Sequence, residues 1–301
     1  MHVSAGGPPI VVGVDGSRQA LDAVTWGARE AVRWNAPLVL LHAYEVPESG
    51  PRPGPSASDW IAARKQAADQ LLRESMAVAE RVRPRADITV ESVVDSSIPL
   101  LLRRSHTAKM VVLGSRGHSA FADLLAGSTA TALAAHGHCP VTVIRGSDPN
   151  GRADAPVVAG VDGSALSEPA LELAFQEASV RGVHLIASHS WHDLDLAETF
   201  GAARGTLEVE SPGGAAERLL AECLAGWQEK YPEVTVERVL AEDRPRDHLL
   251  DRSRTAQLVV AGSRGRGGFQ GLLLGSTSHA LIHHADCPVL IARSPLPAPR
   301  A

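Results

Sequence analysis

Several things are scarce in this sequence, and each scarcity removes a class of function. No apolar run approaches the ~20 residues that a membrane span needs, and the strand-like runs are as short as Leu38–Leu41. The opening residues, MHVSAGGPP, carry neither a basic stretch nor an apolar one, so no secretory signal is visible. Positive charge is not in excess. A net charge of −5 and a pI near 6.2 argue against a nucleic-acid binder that relies on a basic surface. Cysteines number three, an odd and sparse count without the even framework of a small secreted scaffold. These absences lead to the expectation of a reduced, cytoplasmic chain with neither a membrane nor a nucleic-acid partner. Lysine is scarcest of all: among 29 basic residues only Lys65, Lys109 and Lys230 are lysines.

What is present is a repeat. VVGVDGS at 11–17 returns as VAGVDGS at 158–164, and the segment 111–145 returns at 259–293 without a gap. Roughly half of the positions in the longer pair are identical. The period is domain-sized, well above the 20–50 residues of a solenoid, and 301 residues is about two domains at the usual ~150 each. A polar stretch, RGSDPNGRADAP, lies between the copies as a linker. The expected domains are 1–148 and 154–295.

Within each copy, strand and helix patterns alternate. IVVGV (10–14) suits a buried strand, Ser17 stands at an N-cap before helically spaced Ala20, Leu21, Val24 and Ala28, and PLVLLHA (37–43) reads as strand two. A helix over 58–83, a half-exposed strand at 88–94, a short helix near 98–106, and strands at 110–114 and 139–144 flank a helix from Ser128. The second copy repeats the series, with helices expected at 166–181, 211–231, 245–254 and 276–285. The fold class is therefore α/β: two tandem copies of a five-stranded, mostly parallel sheet with helices on both faces. Such sheets bind ligands beyond the carboxyl ends of their strands.

After the first strand of each copy comes Val-Asp-Gly-Ser, with Asp15 and Asp162. After the fourth comes Gly114-Ser-Arg-Gly117, nine residues, then Gly127-Ser128-Thr129, and in the second copy Gly262-Ser-Arg-Gly265, nine residues, then Gly275-Ser276-Thr277. Glycines let a backbone approach a phosphate, and a helix opening at Ser128 or Ser276 offers N–H groups and a favourable dipole to an anion. A carboxylate repels phosphate but accepts hydrogen bonds from a ribose hydroxyl or an adenine amine. Anion donors on one side and an acceptor on the other make a nucleotide-shaped constellation.

VGVDGS, then G-x2-G-x9-G-[ST], then CPV before the last strand resembles the universal stress proteins, in particular their ATP-binding branch in its tandem form. The resemblance covers nearly the whole chain and implies sheets of order 3-2-1-4-5 with ATP bound in a cleft of each half. On that resemblance Asp15 and Asp162 contact the adenosine, with Gly13 and Gly160 close by. Ala43, after His42, and Ser190, after His189, flank the base. Gly114, Ser115, Arg116, Gly117, His118 and Ser119 lie along ribose and phosphates, as do Gly262, Ser263, Arg264, Gly265, Arg266 and Gly267. Gly127, Ser128, Thr129, Gly275, Ser276 and Thr277 hold phosphate oxygens, with Mg accompanying the phosphates. Homodimers are implied as well, and the edge position of the fifth strand suggests pairing between the copies. The role implied is an ATP-binding stress-response regulator with an unidentified protein partner.

Other chemistries have less behind them. No G-x4-G-K-[ST] occurs, the lysines lie away from both glycine loops, and no GxGxxG follows the first strand. Fast phosphoryl transfer therefore lacks its usual parts, leaving slow hydrolysis or a nucleotide-independent interaction module as alternatives. His136, His138 and Cys139, matched by His283, His284 and Cys287, have the residue types of metal ligands but not the spacing, and the cysteines read as small buried hydrophobes. Asp15-Gly16-Ser17 is not a GxSxG nucleophile turn, and capping is the better reading of Ser17. The acidic loop 192–214 has no counterpart of equal length in the first copy and is read as solvated.

Overall fold

A computed structural model describes residues 7–45, 57–84, 87–115, 127–146, 151–164, 167–191, 212–265 and 273–293. The chain divides into two compact units, the first reaching Ile144 and the second beginning at Arg145.

Unit one runs β1 (Ile10–Gly13), α1 (Arg18–Arg33), β2 (Leu38–Tyr44), α2 (Ala57–Val82), β3 (Ile88–Val94), α3 (Ser97–Ser105), β4 (Met110–Gly114), α4 (Ser128–His136) and β5 (Val141–Ile144). Its strands are ordered β3-β2-β1-β4-β5 and all pair in parallel. Short β-branched strands give a sheet whose centre is sealed: Ile10, Val12, Leu38, Leu40, Val111 and Val112 have no exposed surface. The chain leaves β1 toward β2 and later returns on its other side as β4. Right-handed crossovers then put α1 beside α2 on one face and α3 beside α4 on the other. Ser17 caps α1 as its position suggests, its Oγ accepting the Ala20 N–H at 3.1 Å.

Unit two repeats the plan with β6 (Val157–Gly160), α5 (Glu168–Arg181), β7 (Leu185–Trp191), α6 (Pro212–Leu224), α7 (Trp227–Lys230), β8 (Val236–Glu242), α8 (Pro245–Arg252), β9 (Leu258–Gly262), α9 (Ser276–His284) and β10 (Val289–Ala292). The order β8-β7-β6-β9-β10, again parallel, is the same 3-2-1-4-5. One expected element divides: the helix anticipated over 211–231 breaks at Gly226, whose φ of +80° belongs to the left-handed region where glycine carries no Cβ penalty. The break lets Trp227 and Tyr231 stack on the buried Phe175 at 5.6 and 5.7 Å.

Among the described residues each unit buries one carboxylate, and the two units neutralise it differently. Glu30 has no exposed surface; Arg33 and the indole N–H of Trp34 donate to it at 3.0 Å, and Lys109 lies 4.0 Å over the Trp34 ring. In unit two the matching Glu177 takes Arg181 at 3.0 Å, a pair only 2% and 0% exposed. Arg181 also donates to Gln257, which occupies the position of Lys109. Removing one partner of such a pair strands a buried charge. Arg181→Ala is therefore expected to cost about 3–5 kcal/mol, measured by denaturant unfolding, whereas exposed Arg254→Ala should cost well under ~1 kcal/mol.

The units also differ at α8. Leu249 fills the space beside Gly160, and next to it stands His248 where unit one has Leu100. The His248 Nε2 is buried with no hydrogen-bond partner. Burial, and then the charge of Arg252, hold its pKa below the ordinary histidine value, against a smaller opposing pull from Asp243 and Asp251. The unfolded chain therefore binds this proton more readily than the folded one. Stability is present above the unfolded value of about 6.5 and is lost as pH falls through it toward the folded value. Between pH 7.5 and 5.5 the urea midpoint should fall further in the wild type than in His248→Leu; equal falls would show that His248 is not responsible.

Candidate functional site

The crevice lies where β1 sends the chain to one side and receives it back on the other. β1 stops at Gly13, paired with Leu41, while β2 continues through Tyr44, so His42, Ala43 and Tyr44 overhang it. Unit two has the same step: β6 ends at Gly160 opposite Ser188, and β7 runs on through His189 and Ser190. Ala43 and Ser190 thus stand two residues past the last β1 or β6 partner, on the wall of a notch.

A histidine ties the overhang to the end of the first strand in both units. His42 Nδ1 lies 2.7 Å from Val14 O, and His189 Nδ1 lies 2.7 Å from Val161 O. A carbonyl can only accept, so Nδ1 carries the hydrogen in each case. In sequence these histidines serve only as landmarks for Ala43 and Ser190. A bond spanning 28 residues has no local signature, and their bracing role emerges only when the strands are paired.

The aspartates shape the turn after the first strand. Asp15 Oδ1 accepts the Ser17 N–H at 3.0 Å, and Asp162 Oδ1 accepts both the N–H and the hydroxyl of Ser164, at 2.9 and 2.7 Å. Gly16 and Gly163, at φ +85° and +74°, supply the left-handed step that this turn needs. Asp162 directs its other oxygen, Oδ2, toward the loop after β9: a Cβ added to Gly265 would sit 2.7 Å from it. Gly13 and Gly160 pack closely, since a Cβ there would displace a methyl of Leu113 at 2.6 Å or of Leu249 at 2.8 Å. Gly114 abuts the start of α1, 2.8 Å from the Gln19 backbone by the same measure.

The long excursion after the fourth strand is pinched at its base in the same way twice. The Gly127 N–H donates to Ser115 O and the Gly275 N–H to Ser263 O, both at 2.8 Å, and both serines are buried. The glycines are the N-caps of α4 and α9, with no side-chain cap bond, so Ser128, Thr129, Ser276 and Thr277 open helices whose leading N–H groups meet no capping side chain. Ser278 Oγ further ties α9 to Gly262 O at 2.5 Å. Asp162, Arg264, Gly265 and Gly275 consequently form one cluster, Gly275 lying 3.4 Å by the same Cβ measure from the Arg264 Cα. Arg116, Gly117, His118 and Ser119 in unit one, and Arg266 and Gly267 in unit two, lie outside the described residues.

Arg293, at the end of β10, is a residue that the motif reading missed. Half-buried, it has its pKa lowered by burial and then by the charge of Arg264. Two guanidinium groups thus feel each other at the strand ends of unit two, an arrangement that an anion would relieve.

The histidine and cysteine groups resolve differently from their order in sequence. Cys139 and Cys287 are buried thiols, each pushed up to about 12 chiefly by burial, and so protonated at neutral pH. They precede the last strands by two residues instead of opening them. His138 stacks on His106 with ring centroids 3.6 Å apart; the same two positions in unit two hold the Arg254–Asp286 ion pair. His283 stacks on His279, 4.2 Å away and four residues earlier on α9. Among the described residues no three His, Cys, Asp or Glu side chains come together to hold a metal.

Comparison with known proteins agrees with the repeated fold. The profile of the Universal stress protein family matches residues 8–145 and again 155–293. The chain is 42% identical over 290 residues to Universal stress protein Rv2005c of Mycobacterium tuberculosis, covering 94% of this chain and 96% of the relative. It is 40% identical over 298 residues to Universal stress protein Rv2623 of the same organism, covering 95% and 97%. A crystal structure of a universal stress protein from Archaeoglobus fulgidus shares the fold at a TM-score of 0.66 and 20% identity, over 95% of this chain and 98% of that one. Repeated strand-end motifs, repeated topology and full-length relatives lead to one conclusion: the chain belongs to the universal stress protein family, with two tandem copies of its domain.

Proposed function

We propose that each half binds one molecule of ATP at the strand ends, and that occupancy, not rapid turnover, is what the protein reports. The observation that carries this reading is the cluster in unit two, where the glycine-capped start of α9, pinched against Ser263, stands beside Asp162 and Gly265. The uncapped N–H groups of α9, with Arg264 and Arg293, suit phosphate oxygens. Asp162 Oδ2 suits a ribose hydroxyl or the adenine amine. The small surface of Gly265 leaves room between them, as a cradle for a nucleotide requires. In unit one Asp15 makes the same turn, and Gly127, which caps α4 at Ser128, is pinched against Ser115 in the same way. Magnesium would accompany the phosphates, held by their oxygens; among the described residues no three His, Cys, Asp or Glu side chains come together.

The lysines support binding over fast transfer. Lys109 is stacked on Trp34, and Lys230 lies over Trp227 and reaches Glu172. Neither stands at a strand end beside Asp15 or Asp162. Assembly into homodimers that engage a further protein partner belongs to the same reading, and the mass of the purified chain with and without ATP tests it.

Denaturing freshly purified protein and chromatographing the supernatant should release ATP at about two per chain, and calorimetry on stripped protein should restore it. Gly265→Ala, which drives a Cβ into Asp162 Oδ2, should reduce the stoichiometry to about one by weakening unit two tenfold or more. ADP accumulating steadily would favour a hydrolase, and an empty protein indifferent to ATP would favour an interaction module. Asp162→Asn separates the two oxygens. The amide oxygen still accepts from Ser164, so the thermal midpoint should hold, while loss of the Oδ2 acceptor should weaken binding by roughly tenfold. Unchanged affinity would remove Asp162 from the site.

A further inference from the structure

One pair of imidazoles has no part in the nucleotide reading. His279 and His283 stand at i and i+4 on α9, on one face of the helix. Their rings are stacked, 4.2 Å between centroids and 29° between planes. Two nitrogens bound to one ion at 2.0–2.1 Å and a tetrahedral angle are roughly 3.4 Å apart, so the two rings must swing out of their stack until one nitrogen of each points at the ion. The helix has already fixed both backbones, so only side-chain torsions have to adjust. Unit one carries Thr131 and Ala135 at these positions, which makes the pair a property of the second copy alone.

We propose that His279 and His283 form a two-imidazole site for a first-row divalent transition ion of the Zn(II) and Ni(II) class, its remaining positions filled by water. Nitrogen donors select these ions over Mg(II) and Ca(II), which require oxygen. His284 is adjacent in sequence, but its ring is tilted 43° to that of His283 with centroids 6.0 Å apart, so it points elsewhere. Arg145, whose charge reaches His283, works against a cation and limits the affinity. The pair stands three and seven residues beyond Ser276 on α9 and needs no bound nucleotide.

The test uses the full chain without a histidine tag, stripped of metal and nucleotide, in phosphate-free buffer. Zn(II) calorimetry should show one equivalent, with the ring-nitrogen NMR signals of His279 and His283 shifting together. Exposed His279→Ala should keep its metal-free thermal midpoint, bind at least tenfold more weakly, and lose the rise in midpoint that Zn(II) gives the wild type. His106→Arg with His138→Asp, which gives unit one the residues of unit two, should leave the equivalent intact. Gly265→Ala should also leave it intact, which separates this site from the nucleotide reading. Zn(II) binding that survives His279→Ala, or that is lost with His106 and His138 instead, overturns the proposal.

Discussion

Parallel pairing of β1 on both of its edges is the constraint from which the strand-end chemistry follows. Val11 and Val12 are hydrogen-bonded into the sheet beside Val39 and Leu40 on one side and Val111 and Val112 on the other. With its edges paired and its faces covered by side chains and helices, the strand gives a ligand access only where the pairing ends. The chain departs toward β2 and returns as β4, and the connections after β1 and β4 therefore splay apart at the carboxyl end. Asp15 follows β1 and the start of α4 is pinned to the end of β4 for that reason, and Asp162 and the start of α9 hold the same places after β6 and β9.

The duplication provides an internal comparison that separates packing from site chemistry. Features at the strand ends occur in both units in nearly the same form: the Asp-Gly-Ser turn, the histidine bond to the first-strand carbonyl, and the glycine N–H closing on a buried serine carbonyl. Away from the crevice the same positions carry different solutions to the same physical demand. A buried glutamate is met by Arg33 and Trp34 in one unit and by Arg181 in the other, and the contact beside Ser105 or Ser253 is a histidine stack or an ion pair. Cores tolerate such exchanges when volume and charge balance are kept. A ligand's shape leaves less latitude.

The units differ in their titratable groups. His248, His279 and His283 of unit two stand where unit one has Leu100, Thr131 and Ala135, whereas Arg264 and Arg293 match Arg116 and Arg145 of the first copy. The histidines give the second copy titratable groups at positions where the first has none.

Much of this was legible in sequence because its causes are local or repeated. Short β-branched runs between helical patterns lead to parallel sheets, Ser17 shows its cap from position alone, and two copies of one glycine spacing define the strand-end loops. Where a single residue outweighs the pattern, the reading overran: hydrophobic periodicity across 211–231 carries no sign that Gly226 takes a left-handed φ and divides the helix. The tertiary structure alone decided which distant side chains meet. His42 reaches Val14, Asp162 faces Gly265, and His138 pairs with His106 instead of Cys139. Those contacts span from 28 to about a hundred residues and depend on strand register and overhang. Sequence sets each element's local conformation through propensity and capping, but the distances between elements are fixed only when their faces pack.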